Sequence, residues 1–248
     1  MKEGITVVKI GGNVIDDAAA LKRFLGEFAS LPDRKILVHG GGKLATRLAE
    51  RLELKVRMVE GRRITDKGML DVVTMVYAGL VNKQIVAGLQ AAGCNAIGLS
   101  GADGNIVTAR RSPEPIDFGF VGDIERVDSD LLGRLLEAEL TPVFPAIMHD
   151  GCGTLLNCNA DSVASAVALG AARLAPTDLV YCFEKRGVLR DPDDEQSVIA
   201  EITAESYPPL KADGTVSRGM IPKIENALKA VEQGVRSVTI RSSEGLGD

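Results

Sequence analysis

The sequence contains no tryptophan, and aromatic residues make up only 4% of its 248 positions. Proteins that bind single-stranded nucleic acid usually offer several aromatic side chains on which bases stack. No run of basic residues compensates for this scarcity, and the formal net charge is −5 at pH 7. The composition therefore argues against nucleic acid as a partner.

Histidine and cysteine are also scarce, with two and four residues respectively. The cysteines form no CxxC pair, so neither a zinc site nor a disulfide framework is expected. Free thiols are typical of the reducing cytoplasm. The N-terminal residues lack the pattern of a signal peptide, and no apolar run approaches the length of a membrane span. We therefore expect a cytoplasmic protein with no membrane partner and no resident metal.

Predicted strands alternate with predicted helices along the whole chain, and most of the strands are continuous apolar runs. This pattern is typical of a mostly parallel sheet with helices on both faces, which is an α/β three-layer sandwich. A boundary between two lobes is predicted near residues 170–176, because two groups of strand–helix units meet there.

Two predicted strands end in glycines. Ile5–Ile10 is followed by Gly11-Gly12, and Lys35–Val38 is followed by His39-Gly40-Gly41-Gly42. Neither segment is a Walker loop or a GxGxxG fingerprint. A single such segment would most simply be a tight turn, but two at the carboxyl ends of strands favour a site for an anion such as phosphate.

Three further segments carry polar groups that could serve such a site. Lys9 lies in an apolar strand, where it is costly unless it meets an anion or its tip reaches solvent. Lys223 follows a proline at a predicted helix start, where it opposes the helix dipole unless an anion binds or solvent screens it. Asn157 from a loop and Asp161 from a helix could face one site, although helix capping explains part of that cluster.

Arg62 and Arg63 follow Gly61 in a predicted loop. Surface arginines are common, so the pair means little alone. Beside a substrate that carries a carboxylate, either guanidinium could form a bidentate pair.

Taken together, these motifs resemble the amino acid kinase family in order and spacing. The resemblance covers nearly the whole chain, and it is specific as a combination even though each motif alone is weak. The motifs that carry it are Lys9-Ile10-Gly11-Gly12, His39-Gly40-Gly41-Gly42, Gly61-Arg62-Arg63-Ile64-Thr65, Phe120-Val121-Gly122-Asp123-Ile124, Asn157-Cys158-Asn159-Ala160-Asp161 and Gly219-Met220-Ile221-Pro222-Lys223.

The resemblance implies a carbamate kinase-like fold and transfer of a phosphoryl group from Mg-ATP to the γ-carboxylate of an N-acylated glutamate, N-acetyl-L-glutamate in arginine biosynthesis. Lys9 and Lys223 would stabilise the transferring group, and Asp161 would position both lysines. Magnesium would be held mainly by phosphate oxygens. The substrate would be bound by Gly41, Gly42, Arg63 and Asn157.

The resemblance also implies a division of labour between lobes. Residues 1–172 would bind the acylglutamate and form a homodimer, and residues 173–248 would bind ATP. Residues expected around the nucleotide are Gly11, Gly12, Glu184, Lys185, Arg186, Gly187, Val188, Leu189, Thr215, Val216 and Ser217. Since the first strand begins close to Met1, no room is left for the N-terminal helix of arginine-sensitive hexamers, so we expect a dimer without arginine inhibition.

Two departures from the family pattern bear on these expectations. Phe183-Glu184-Lys185 stands where the family usually has Ser/Thr-Asp-Val, and Arg62 stands where it usually has an apolar residue. A second guanidinium beside the substrate would suit an acyl group that ends in a carboxylate, so N-succinyl-L-glutamate is an alternative substrate. If Arg62 points to solvent instead, no second guanidinium lies beside the substrate, and nothing favours the succinyl group.

Other functions remain open at this level. The chain could be another kinase of the same fold, acting on carbamate, glutamate, aspartate or uridylate. It could also be a regulatory module without activity, although the joint presence of Lys9, Asp161 and Lys223 argues against that. A dinucleotide-dependent oxidoreductase is disfavoured, because no fingerprint is correctly placed.

Overall fold

The structure is a computed structural model that describes residues 4–32, 34–59, 61–112, 116–183, 187–191, 193–194, 196–216 and 220–246, apart from the side chain of Pro222. Its strands are β1 (Ile5–Ile10), β2 (Arg34–His39), β3 (Met58–Val59), β4 (Arg62–Arg63), β5 (Ala96–Gly98), β6 (Val107–Arg111), β7 (Val121–Val127), β8 (Thr141–Pro145), β9 (Ile147–His149), β10 (Leu155–Cys158), β11 (Thr177–Phe183) and β12 (Ser237–Ser242). Its α-helices are α1 (Gly12–Asp16), α2 (Ala18–Ser30), α3 (Gly42–Arg51), α4 (Lys67–Val73), α5 (Asn82–Ala91), α6 (Ser129–Glu137), α7 (Ala160–Ala172), α8 (Tyr207–Ala212) and α9 (Ile221–Glu232).

A six-stranded sheet forms the centre, in the order β12-β11-β1-β2-β8-β5. Every neighbouring pair in it is parallel. The buried residues of its strands alternate between two cores: Val8 faces one with α2 and α3, and Val7 faces the other with α6 and α7. Side chains that alternate along apolar strands must be covered on both faces, which produces three layers. The predicted fold class is confirmed.

A smaller closed sheet lies beside the central one, in the order β10-β7-β6-β9. Apolar runs at Ile106–Ala109 and Phe118–Glu125, on either side of a proline-containing segment, predict a hairpin. Its strands are the antiparallel pair β6 and β7 of this sheet, with a register shift between Thr108 and Ala109. Sequence patterns did not predict β9, β10 or α8, because each is short and lacks a clear period.

All strands of the central sheet run the same way, so their carboxyl ends meet at one edge. β1 ends at Ile10, β2 at His39 and β11 at Phe183. The glycine segments after β1 and β2 and the last residue of β11 therefore come together at this edge. β1 pairs with both β2 and β11, and this pairing creates the arrangement. Local sequence alone could not show it, since β1 and β11 lie far apart in the chain.

One long helical segment runs from α4 through a π-helical stretch, Thr74–Val81, into α5. Asp66 caps its start, where its carboxylate accepts from the Met69 N–H at 2.9 Å. By length and composition this segment passes a test for a membrane span, but 44% of its most apolar window is buried in the protein. One such helix is weak evidence for a membrane, since a core helix of a globular protein passes the same test.

Two predicted loop positions lie in strands instead. Asn157 belongs to β10, where it pairs with Val121 of β7 and with Ile147 of β9. Arg62 and Arg63 form β4, a two-residue strand paired with β3. Both corrections have the same cause: these strands are held by partners distant in sequence, which local patterns do not show.

Candidate active site

A cavity of about 530 Å³ opens at the carboxyl edge of the central sheet. Both predicted glycine segments border it, together with both predicted lysines. Its lining residues are Lys9, Ile10, Gly11, Gly12, Asn13, Val14, Gly40, Gly41, Gly42, Lys43, Ala160, Phe183, Gly187, Met220, Lys223 and Ile240. Its walls therefore combine backbone N–H groups at helix starts with ammonium groups, which suits a polyanionic ligand.

Asp161 joins the two predicted lysines. Its Oδ1 lies 2.7 Å from Lys9 Nζ, and its Oδ2 lies 3.3 Å from Lys223 Nζ. The three side chains are 18%, 11% and 26% exposed respectively. Asn159 caps α7, because its side chain accepts from the N–H groups of Asp161 and Ser162. Capping thus explains Asn159, while the Asp161 carboxylate, in the first turn of the helix that Asn159 starts, contacts two lysines that line the cavity.

Burial and neighbouring charges shift the pKa values of Asp161 and Lys223. Burial alone would raise the pKa of the Asp161 carboxyl, but Lys9 and Lys223 outweigh burial and hold that pKa below its usual range. Burial lowers the pKa of Lys223, an effect that the Asp161 carboxylate opposes and the Lys9 ammonium adds to. One carboxylate between two ammonium groups leaves a net positive charge facing the cavity.

Gly41 precedes α3 and lines the first cavity. Its φ is +154°, and a Cβ added there would lie 2.9 Å from Cδ1 of Tyr77. Residues with side chains rarely adopt this φ, and a contact that short is not tolerated between real atoms. A glycine is therefore required for the backbone to pass between Tyr77 and the cavity.

His39 fixes the position of the Gly40–Gly42 segment through hydrogen bonds. It is completely buried, and burial lowers its pKa to about 4. The Asn82 amide donates to His39 Nε2 at 3.1 Å, so the neutral ring donates from Nδ1 to the Gly40 carbonyl at 2.8 Å. Because Asn82 also donates to the Val143 carbonyl at 3.0 Å, the network ties Gly40 to the long helical segment and to β8.

A second cavity of about 200 Å³ shares the Gly40–Gly42 segment and Ala160 with the first. Arg63 and Asn157 both line it, and both are buried. Asn157 donates to Thr65 Oγ1 at 3.0 Å. The structure therefore brings together the groups predicted to bind the substrate, directly beside the first cavity.

The Arg63 guanidinium is only partly satisfied. Its Nη2 donates to the Gly42 carbonyl at 3.0 Å and to Thr46 Oγ1 at 2.9 Å. Its Nη1 is buried without a hydrogen-bond partner in the part of the chain that the structure describes. A buried cation with an unused donor is costly, and a ligand carboxylate would remove that cost.

Arg62 borders the second cavity but is occupied elsewhere. Its Nη2 lies 2.7 Å from Ser112 Oγ and 3.1 Å from Asp123 Oδ1. Its guanidinium also stacks over the Phe118 ring, 4.8 Å from the centroid. Arg62 therefore points neither freely to solvent nor freely toward a ligand.

The predicted nucleotide residues are only partly brought together. Gly187 lines the first cavity with Gly11 and Gly12. Val188 and Val216 pack in a small core with Tyr207 and Ile224, and Leu189 is buried nearby in a bridge with Val198. Thr215 is half-buried, and its N–H donates to Asp213 Oδ1 at 2.9 Å. Glu184, Lys185, Arg186 and Ser217 lie outside the described residues.

Three site residues escaped the sequence analysis. Lys43 lines the first cavity and contacts Asn13 Oδ1; its place after three glycines at a helix start was the same signal that identified Lys223. Phe183 also lines that cavity. Tyr77 lines the second, but an aromatic residue within an apolar helix gives no local signal of function.

Comparison with known proteins agrees with this geometry. The profile of the amino acid kinase family matches residues 4–242. The acetylglutamate kinase of Bacteroides thetaiotaomicron is 49% identical over 249 residues, which cover 100% of this chain and 97% of that protein. The acetylglutamate kinase of Cytophaga hutchinsonii is 51% identical over 242 residues, 97% of this chain and 92% of that protein.

Solved structures share the same architecture. A protein of Streptococcus mutans UA159 superposes with a TM-score of 0.81 at 29% identity, covering 97% of this chain and 95% of that one. Carbamate kinase from Giardia lamblia bound to AMP-PNP gives a TM-score of 0.70 at 11% identity, over 97% and 92%, and so shares the fold. From its profile match, its relatives and its fold, the chain belongs to the amino acid kinase family.

Proposed function

We propose that this protein transfers the γ-phosphoryl group of ATP to the side-chain carboxylate of N-acetyl-L-glutamate, a step of arginine biosynthesis. The observation that carries the proposal is the junction of two cavities at Gly40–Gly42. One cavity presents Lys9 and Lys223 paired with Asp161, and the other presents Arg63 with an unused buried donor. The two curated relatives described above, both acetylglutamate kinases, supply the acceptor.

Positive charge is the main requirement of the reaction. In-line phosphoryl transfer needs little covalent chemistry from the protein, so orientation and charge stabilisation dominate. Lys9 and Lys223 approach the same cavity from a strand and from a helix start, and Asp161 fixes the distance between them. A carboxylate acceptor is already ionised at neutral pH, so the site needs no general base.

Backbone groups hold the phosphates, and side chains hold the acceptor. Gly11, Gly12 and Gly41 bring N–H groups to the first cavity without side chains in the way. Arg63 offers Nη1 to the substrate α-carboxylate, and Asn157 offers its amide beside it. This placement directs the γ-carboxylate toward the shared Gly40–Gly42 border.

Magnesium would accompany ATP and neutralise charge on its phosphates. Among the described residues that line the two cavities, the polar side chains are mostly lysine, arginine and asparagine, which are not ligands that Mg²⁺ favours. Phosphate oxygens and water would therefore hold the ion. Asp161 is already engaged by two ammonium groups.

The acyl group is proposed to be acetyl. A succinyl group would need a free cation for its extra carboxylate, and Arg62 is the residue placed to provide it. Arg62 is instead paired with Asp123 and Ser112. The small second cavity, about 200 Å³, also suits a short acyl group.

ADP release tests both the reaction and the acyl group. We expect the purified protein to release ADP with N-acetyl-L-glutamate and not with glutamate, aspartate or bicarbonate plus ammonia. N-succinyl-L-glutamate should give a lower kcat/KM. Arg62→Leu should change the ratio of the two acylglutamates by less than about three-fold, because loss of a partly exposed ion pair is a small effect.

A preference for N-succinyl-L-glutamate that Arg62→Leu abolishes would overturn the acetyl assignment. Turnover of aspartate or carbamate without acylglutamate turnover would overturn the function itself.

We also propose a homodimer in the cytoplasm. Met75 and Leu80 are large apolar side chains on the π-helical stretch, and they are 53% and 50% exposed. A second copy of the same helix would cover both residues in a two-fold interface. The reducing compartment agrees with the free state of Cys94, Cys152, Cys158 and Cys182.

Mass measurement by light scattering should give twice the chain mass of 26.2 kDa. Met75→Asp with Leu80→Asp should yield monomers. A monomeric parent protein, or a double variant that remains dimeric, would contradict the proposed interface.

A further inference from the structure

Phe183, the last residue of β11, lies under the two lysines of the cluster. Lys223 Nζ is 3.5 Å from the centroid of its ring, and Lys9 Nζ is 5.1 Å from the same point. Both distances fall within the range of cation–π attraction. One aromatic ring therefore lies within reach of both ammonium groups, at the wall of the first cavity.

The ring is itself held in place. Phe183 stacks on Tyr181 with centroids 6.1 Å apart and an angle of 19° between planes. Tyr181 is 1% exposed, and its hydroxyl lies 2.7 Å from Ser165 Oγ and donates to the Asp161 carbonyl at 3.2 Å. The aromatic pair thus connects the lysines to the helix that carries Asp161.

Lys9, Lys223 and Asp161 carry one more positive than negative charge, and an aromatic ring can stabilise the excess positive charge. Asp161 neutralises only one of the two ammonium charges, and both lysines are largely shielded from water. The face of an aromatic ring carries the negative part of its quadrupole, so it attracts a desolvated cation at no cost in net charge. A second carboxylate would instead cancel the positive charge that a phosphoryl group requires.

We propose that Phe183 is a positioning residue that holds the Lys9 and Lys223 ammonium groups over its ring, ready to receive the transferring phosphoryl group. The proposal rests on the proposed phosphotransferase function. It differs from a packing role, because an aliphatic residue of similar size would fill the space without attracting the ammonium groups.

The decisive comparison is between Phe183→Leu and Phe183→Tyr. The leucine variant keeps an apolar wall but removes the ring, and we expect its kcat to fall about ten-fold, equivalent to about 1.4 kcal/mol, with both KM values within two-fold. The tyrosine variant keeps the ring and should retain kcat within two-fold. Phe183→Met provides a second variant without a ring and should resemble leucine.

Lysine titration gives a readout that needs no substrate. Among the described residues, the charged groups facing Lys223 are Asp161 on α7 and Lys9 on β1, and these substitutions leave both in place. The ring favours the charged ammonium, so its removal should lower the pKa of Lys223 further. NMR of isotope-labelled lysine in the ligand-free protein should show this, and the alkaline limb of the kcat profile should move to lower pH.

Phe28→Leu is the matched control. Lys35 Nζ lies 5.6 Å from the Phe28 ring, in the same kind of contact, but Lys35 is near the amino end of β2, opposite the cavity. This variant reports the stability cost of a buried Phe→Leu change, measured by thermal melting, and should leave kcat unchanged.

Equal kcat and equal Lys223 pKa in the parent and in Phe183→Leu would overturn the proposal. So would an equal loss in Phe183→Leu and Phe183→Tyr. The proposed function fails separately, if the parent protein releases no ADP with N-acetyl-L-glutamate while the Lys223 pKa still responds to Phe183→Leu.

Discussion

Lys9→Ala and Lys223→Ala are each expected to lower kcat by roughly 10²–10³-fold, with little change in either KM, because a charge-stabilising donor acts mainly in the transition state. The proposed mechanism gives a reason why neither lysine would replace the other. Lys9 approaches the cavity from β1 and Lys223 from the first turn of α9, and each pairs with a different oxygen of Asp161. In that mechanism, removal of either lysine would leave one carboxylate oxygen without its ammonium partner and one side of the phosphoryl group without charge.

Steady-state kinetics with saturating ATP and N-acetyl-L-glutamate measures this effect. Lys67→Ala is a suitable control, since Lys67 is exposed, contacts Asp71 on its own helix and lies outside both cavities. It should turn over normally. A Lys9 or Lys223 variant with parental kcat would remove that lysine from the mechanism.

Arg63→Ala is expected to raise the KM for N-acetyl-L-glutamate by roughly 10–100-fold and to leave the KM for ATP within about two-fold, the scale of a lost hydrogen bond to a charged group. The buried Nη1 of Arg63 is the donor available to the α-carboxylate. Arg63→Lys should show an intermediate loss, because an ammonium keeps the charge but lacks the rigid planar fork that lets Arg63 donate to the Gly42 carbonyl, Thr46 and a ligand at the same time.

Arg63 also holds the glycine segment in place, because it donates to the Gly42 carbonyl and to Thr46. Thr46→Val separates the two roles, since it removes one of these supports and keeps the guanidinium. We expect it to raise the KM for the acylglutamate less than Arg63→Ala does. If the KM for ATP rises more than the KM for the acylglutamate in Arg63→Ala, Arg63 belongs to the nucleotide side of the site.

Much of the site could be predicted from types of residue and their spacing. Three features are costly or unusual in their local surroundings: a lysine in an apolar strand, glycines after two strands and a lysine at a helix start. The structure places all of them at one cavity, which is the candidate anion site. Asp161 was identified in a similar way. A helix start needs one capping side chain, and the segment from Asn157 to Asp161 offers several polar side chains, so at least one of them has another role. Asn159 turned out to be that cap.

Other features left no local trace. The burial of Arg63 depends on α3, because its guanidinium bonds the Gly42 carbonyl and Thr46, some twenty residues away in sequence. The pairing of Arg62 with Asp123 spans an even larger separation and changed the argument about the acyl group. Tyr77 meets Gly41 only because the long helical segment packs against the start of α3.

The sequence by itself determined the layered α/β fold and the identity of the residues that bear charge at the sheet edge, since apolar alternation, glycines and capping act over a few residues. Only the tertiary structure decided how these residues meet: that Asp161 lies between two lysines, that Phe183 lies beneath them and that Arg62 is already paired. The reason is physical. Side-chain charges interact over a few ångströms, and parallel pairing of β1 with β2 and β11 is what brings groups from distant parts of the chain within that range.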